Sequence, residues 1–226
     1  MKLLCSFLAI GVACLAAESQ AAVVAGWNFN TLTTATNNGT TYSASSGAGT
    51  LTVGVTASDQ AGGNRGINSF AGTAVNAIAG DANGQALTIQ GGALETTTPV
   101  ENNGATVTIE VNLTSFEDII LSFATQRTST GFNLNQLAWS TDGTTFTDFG
   151  TAYNPATSFA VQSFDLSAIS EIENQATVFF RLTLTGATSN AGNNRIDNIQ
   201  INAVPEPAAA LLGSIGLIAL LRRRRG

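Results

Sequence analysis

The chain has 226 residues and no histidine, and its one lysine is Lys2. Both cysteines, Cys5 and Cys14, lie close to the N-terminus, and tryptophan and tyrosine occur twice each. These scarcities exclude a good deal of chemistry. Without histidine there is no Ser-His or Cys-His nucleophile pair and no histidine zinc site, and without a lysine beyond the start there is no Schiff-base catalyst. Once an N-terminal leader is removed, the mature chain has no thiol, no disulfide and no cysteine-bound metal. Carboxylates remain, as in glycoside hydrolases, where two of them flank the bond roughly 5–10 Å apart. That enzyme reading stays an alternative, because a domain with many acids brings two together by chance.

Positive charge is scarce as well. Between residues 22 and 203 four arginines (Arg65, Arg127, Arg181 and Arg195) face thirteen acids, a net charge of −9. Nucleic acid is excluded as a partner, since its binding depends on basic residues displacing counterions. An acidic domain fits an extracellular surface where Ca²⁺ and other cations screen the field.

Long hydrophobic runs occur only at the two ends. Met1-Lys2 followed by the apolar stretch Leu3 to Ala17 and small residues at Ser19 and Ala21 has the layout of a signal peptide over residues 1–21, cut by signal peptidase after Ala21 or Ala22. Gly11 stands where a lipoprotein signal needs an aliphatic residue ahead of Cys14. At the other end, Pro205-Glu206-Pro207 precedes the run Ala208 to Leu221, whose only polar residue is Ser214, and Arg222, Arg223, Arg224 and Arg225 close it. As a helix the run covers about 21 Å, short of a ~30 Å hydrocarbon core, and spans it if the arginines snorkel and the bilayer thins. The arginines hold that end in the cytoplasm, so the preceding domain lies across the membrane.

This order of Pro-Glu-Pro, short hydrophobic helix and terminal arginines, over residues 204–226, resembles the PEP-CTERM sorting signal of Gram-negative bacteria. The resemblance implies recognition by an exosortase, cleavage near Pro205-Glu206-Pro207, and delivery of the domain to the cell surface or its polysaccharide matrix. Two prolines keep the motif extended, in a form a processing enzyme can grip. The tail then acts as a transient membrane anchor and an address.

The region from residue 22 to 203 is long enough for one domain with a sizeable core. Its apolar residues recur with period two: Val107, Ile109, Val111 and Leu113 form one stripe, Val178, Phe180, Leu182 and Leu184 another, and Ile199 and Ile201 a third. Further strands are expected over 23–29, 51–55, 86–89, 118–125 and 159–166. A helical turn or two is expected over Asp165 to Ile169, capped by Asp165 or Ser167. Asp142-Gly143 between β-rich arms predicts a two-residue type I′ hairpin. About nine or ten short strands with almost no helix indicate an antiparallel β-sandwich, jelly-roll-like. Trp139 through Phe146, then Phe180-Arg181-Leu182 and Asn194-Arg195-Ile196-Asp197-Asn198-Ile199, is similar to the sandwich domains that precede such tails, which resemble jelly-roll carbohydrate-binding modules.

Candidate sites are few. If the last strand is regular, Asp197 shares the core-facing stripe with Ile199 and Ile201, and a buried carboxylate must be hydrogen-bonded, paired or metal-bound. Three arrangements are open: a hydrogen-bonded structural aspartate, an ion pair with Arg195, or a Ca²⁺ ligand joined by backbone carbonyls and by Asn28 and Asn30 beside the first strand. For sugar binding, Tyr42 and Tyr153 are the candidate exposed aromatics, whereas Trp27 and Trp139 lie on strand patterns and belong to the core. No other cofactor is implied. The leading expectation is a non-enzymatic structural or adhesive protein of the cell surface, with a carbohydrate-binding module for exopolysaccharide as the first alternative.

Overall fold

The computed structural model describes residues 20–32, 40–56, 66–92 and 100–206. Residues 1–19 of the expected signal peptide, Pro207, the 208–221 run and the four terminal arginines lie outside them. Thirteen strands are described: β1 (Ala22–Trp27), β2 (Thr41–Ser43), β3 (Ser46–Gly47), β4 (Thr50–Gly54), β5 (Ile67–Ala71), β6 (Gln85–Gln90), β7 (Ala105–Val111), β8 (Phe116–Arg127), β9 (Leu134–Ser140), β10 (Thr147–Tyr153), β11 (Ala160–Asp165), β12 (Val178–Thr185) and β13 (Asn193–Pro205). The expected helical turn is displaced: the single 3₁₀ turn is Ser170–Ile172. Asp165 instead accepts from the Ser167 amide and hydroxyl in a local turn, so its side chain is spent before a helix could start.

Two antiparallel sheets face each other. The first runs β11-β8-β13-β1-β3, with β5-β6 attached to the N-terminal half of β13; the second runs β10-β9-β12-β7-β4-β2. The expected all-β sandwich is therefore the fold. Strict alternation produces it: every second residue of β12 is buried, and Phe180 pairs with Ile109 on one side and Trp139 on the other. Inner-face residues Leu51, Val107, Ile109, Leu121, Phe123, Phe180 and Ile199 form one continuous core. The residual cavity between the sheets, lined by Ile109, Leu121, Phe180 and Ile199, is about 10 Å³, no more than one water needs. That cavity has no room for a ligand larger than a water molecule.

The two longest strands are β8 and β13, paired along most of their length. β13 pairs on its other side with β6 through Asn193–Ile196 and with β1 through Ile199–Ala203. The sheet forks between these two partners, and residues 72–84, which link β5 to β6, cover the fork. Asn76 donates to Ser122 and to the Asn198 carbonyl, and Gln200 donates to the Asn76 carbonyl.

Candidate functional site

Strand β13 is not regular at the fork. Asp197 faces Ala124 but Gln200 faces Ser122, so three steps along β13 match two along β8 and one residue is extra. This is a bulge, and Asn198 at its centre has φ of 49°. The extra residue resets the alternation, so that Ile196 and Ile199 both belong to the core. Asp197 is therefore not on the core stripe with Ile199 and Ile201. It lies on the outer face of the sheet and is fully buried because the 72–84 segment covers it.

Of the three arrangements open for Asp197, the structure contains the hydrogen-bonded one. Its two carboxylate oxygens accept from the backbone N–H of Thr73 and of Asn198, each at 2.9 Å. Arg195 is turned away: it donates to the Ala71 carbonyl and lies over the Phe70 ring. Burial pushes the Asp197 carboxyl up to about 7; the two N–H bonds oppose the rise, and the nearby Asp81 charge adds to it.

The surroundings of Asp197 are rich in oxygen. The Asn30 and Asn198 side-chain oxygens are buried and accept no hydrogen bond from the described residues, and the Asn198 amide nitrogen donates to the Thr73 and Val75 carbonyls, which fixes the orientation of that amide. Two glycines make room for these atoms. A Cβ on Gly72 would meet an Asp197 carboxylate oxygen and the Asn83 carbonyl, each at 2.4 Å, and one on Gly84 would overlap the Asn30 side chain. The Gly72 N–H bonds the Gly84 carbonyl, so both glycines sit on one rung. Buried acceptors that have no donor are groups that a hard cation taking oxygen ligands would use, so Asp197, Asn30 and Asn198 are the residues that could contribute to holding one. Asn28 separates from this group. Its side-chain oxygen accepts from the Ser45 hydroxyl and the Asn30 amide, which uses both lone pairs.

Asn28 instead lines an outer recess of about 220 Å³, bounded also by Gly26, Ser46, Ile78, Asp81 and Gln200. Ile78 and Asp81 wall the recess on one side, and the buried Gly26 of β1 lies against the Ile78 side chain. A Cβ on Gly26 would meet the end of the Ile78 side chain at 3.0 Å.

The two tyrosines are not exposed platforms. Tyr42 lies in β2, half-buried, with its ring edge-on to Phe29 at 6.0 Å. Tyr153 ends β10 with its ring 5.9 Å from that of Phe164; its hydroxyl is buried without a partner, and burial pushes its pKa up. Both are expected to be exposed, but each lies in a strand and packs its ring on a phenylalanine of the core. Trp27 is 2% exposed, as expected for a core residue.

The Asp142-Gly143 turn is also longer than a two-residue hairpin. β9 and β10 pair from Trp139 and Thr147, and only Gly143 of the two turn residues has positive φ, where a type I′ turn needs both. Asp142 accepts from the amides of Thr144 and Thr145 and from the Ser140 hydroxyl. These bonds hold its carboxyl well below the usual range. The turn is thus built by side-chain capping.

At the C-terminal end, β13 runs to Pro205, two residues past the expected domain limit. Pro205 faces Phe116, and the Glu206 N–H donates to the Ser115 carbonyl. Among the described residues no helix is long and apolar enough to cross a membrane, and no cluster of three or more acidic metal ligands occurs.

Sequence reasoning missed Asp81 and Asn198. Asp81 lies in a segment without periodicity, and its only signal is the pair of glycines, Gly72 and Gly84, that bracket the segment.

No protein-family model matches the chain, and no curated protein matches it. Several solved structures share its outline. TmCBM61, solved in complex with β-1,4-galactotriose, is 10% identical with a TM-score of 0.38, over 67% of this chain and 86% of that one. The CBM22-1 xylan-binding domain of Xyn10C from Paenibacillus barcinonensis is 14% identical with a TM-score of 0.42, over 84% of this chain and 99% of that one. A cleaved adhesin domain of Lys-gingipain from Porphyromonas gingivalis is 10% identical with a TM-score of 0.42, over 80% and 97% respectively. At these identities and scores the likeness is one of outline and carries nothing about what this chain binds.

Proposed function

We propose that this chain is an exported, non-enzymatic, jelly-roll-like sandwich that an exosortase processes at its C-terminal tail and that serves a structural or adhesive role at the cell surface or in the extracellular polysaccharide matrix. The observation that carries this reading is the junction of domain and tail. The core is built from residues between Ala25 and Ala203, and β13 then delivers Pro205-Glu206 extended and only partly buried at the sheet end. An extended segment beside a finished core is what a processing enzyme requires. A Ca²⁺ ion held by Asp197, Asn30 and Asn198 belongs to the same reading: it would offset the acidic field and pin residues 72–84 to the sheet.

Expressing the full chain in a Gram-negative host with and without an exosortase tests the sorting step. Intact-mass measurement should find the tail lost only when the exosortase is present. A tail retained in both hosts, or lost in both, sinks the sorting reading.

A second reading, binding of exopolysaccharide, is favoured by the outer recess. Its hydroxyl, amide and carboxylate groups are of the kind that bind polyols.

A further inference from the structure

Resting on the polysaccharide-binding reading, we propose that the recess between β1, β3 and residues 78–81 is the binding site for a single uncharged hexose unit, gripped through two adjacent hydroxyls by Asp81 and Asn28.

The size sets the first limit. The recess holds about 220 Å³, below the roughly 300–1,000 Å³ of sites for drug-sized ligands, so it takes one ring rather than a run of chain. It is far larger than a bare ion needs, and Asp81 is the one carboxylate among the described residues that line it, whereas Ca²⁺ wants six to eight oxygens at 2.3–2.6 Å. Among the described residues that line it none is basic and Asp81 is acidic, which disfavours an anionic ligand such as a phosphate.

The free hydrogen-bonding groups set the second limit. No hydrogen bond engages the Asp81 carboxylate; only its backbone N–H is used, on the Ile78 carbonyl. The Asn30 N–H can only donate, so the Asn28 atom it meets is the oxygen, and the Asn28 amide nitrogen stays available as a donor. Gln200 spends its nitrogen on the Asn76 carbonyl and keeps its oxygen as an acceptor. The Ser46 hydroxyl can serve as either. One strong acceptor, one amide donor, one amide acceptor and one hydroxyl on a single rim match a molecule whose neighbouring hydroxyls each donate and accept. Ile78 supplies an apolar wall for the ring C–H groups. Two of these groups are held in place before a ligand arrives: the Ser45 hydroxyl and the Asn30 backbone N–H fix Asn28, and the Asn76 carbonyl fixes Gln200, which reduces the ordering lost on binding.

The test titrates the full chain, in detergent micelles, with glucose, galactose, mannose and N-acetylglucosamine, using saturation-transfer NMR and calorimetry. At least one should bind with Kd on the order of 1 mM, as one ring without aromatic stacking allows. Asp81→Asn should weaken it about tenfold or more, since the charged acceptor is lost, while Glu171→Gln, on a remote exposed turn, should leave it unchanged. Ser46→Trp fills the recess and should abolish binding, which keeps the assignment testable if Asp81→Asn folds poorly. Hexose binding untouched by both recess variants overturns the assignment and leaves the polysaccharide reading standing. Ca²⁺ bound alone, kept in Asp197→Asn and lost in both Asp81→Asn and Ser46→Trp, with no hexose bound, makes the recess an ion site and overturns the hexose assignment. No binding of any of these sugars, nor of a polysaccharide, overturns both.

Discussion

Asp197 gives the protein a pH dependence opposite to that of an ordinary paired carboxylate, and replacing it by asparagine isolates the effect. In the unfolded chain the group ionises near 3.8; in the fold, burial raises this to about 7. Below pH 3.8 both states hold the proton and nothing changes with pH. Between the two values the native state keeps a proton that the unfolded chain has lost, so stability falls as pH rises, by about 1.4 kcal/mol per unit at most. Above about 7 both states are ionised and the loss is complete. Across the whole interval the loss is bounded by about 4 kcal/mol, and relaxation of the covering segment reduces it to roughly 2–4 kcal/mol. In a chain of this size that lowers Tm by roughly 5–15 °C. The assay is thermal unfolding in EDTA from about pH 4.5 to 7.5, a window above the range where Asp142 and Asp165, both lowered, titrate. Asp197→Asn should flatten the slope. It should also be less stable than the natural chain at pH 4.5, because an amide nitrogen cannot accept one of the two backbone N–H bonds that the carboxyl accepts. Stability that stays level or rises across this window in the natural chain would refute the reasoning.

Four further outcomes follow from the same geometry. Adding Ca²⁺ at pH 7.5 should raise Tm, by an amount equal to about 2.7 kcal/mol at a hundredfold excess over Kd, and Asp197→Asn or Gly72→Ala should remove the response; calorimetry with Ca²⁺ alone checks this. Tyr153→Phe deletes a buried hydroxyl that has no partner, so denaturant unfolding should find the variant unchanged or up to about 1 kcal/mol more stable. Phe180→Ala empties the centre of the core, where Phe180 is 1% exposed, and should cost about 3–5 kcal/mol in the same assay. Asp142→Ala should speed amide exchange at Thr144 and Thr145 without moving global stability far, since the turn lies at the surface; unchanged exchange there would mean the turn does not depend on that carboxylate.

The β-sandwich was legible in the sequence because its signal is local. Val178, Phe180, Leu182 and Leu184 alternate with polar residues, and a pleated strand puts all four on one face wherever the strand lies. Net charge, the lack of histidine and the composition of the two ends are likewise properties of the chain itself, and they limit chemistry and partners before any fold exists. The site was hidden because parity holds only while a strand is regular. One extra residue at Asn198 moved Asp197 to the opposite face of the sheet, and nothing within β13 marks that shift, since its cause is the pairing with β8. Burial of Asp197 then depends on Thr73 and Gly72, more than a hundred residues away in sequence. Tyr42 and Tyr153 show the same limit. Whether an aromatic on a strand end faces water or packs on Phe29 or Phe164 is decided by which elements close over it, and that is a tertiary fact.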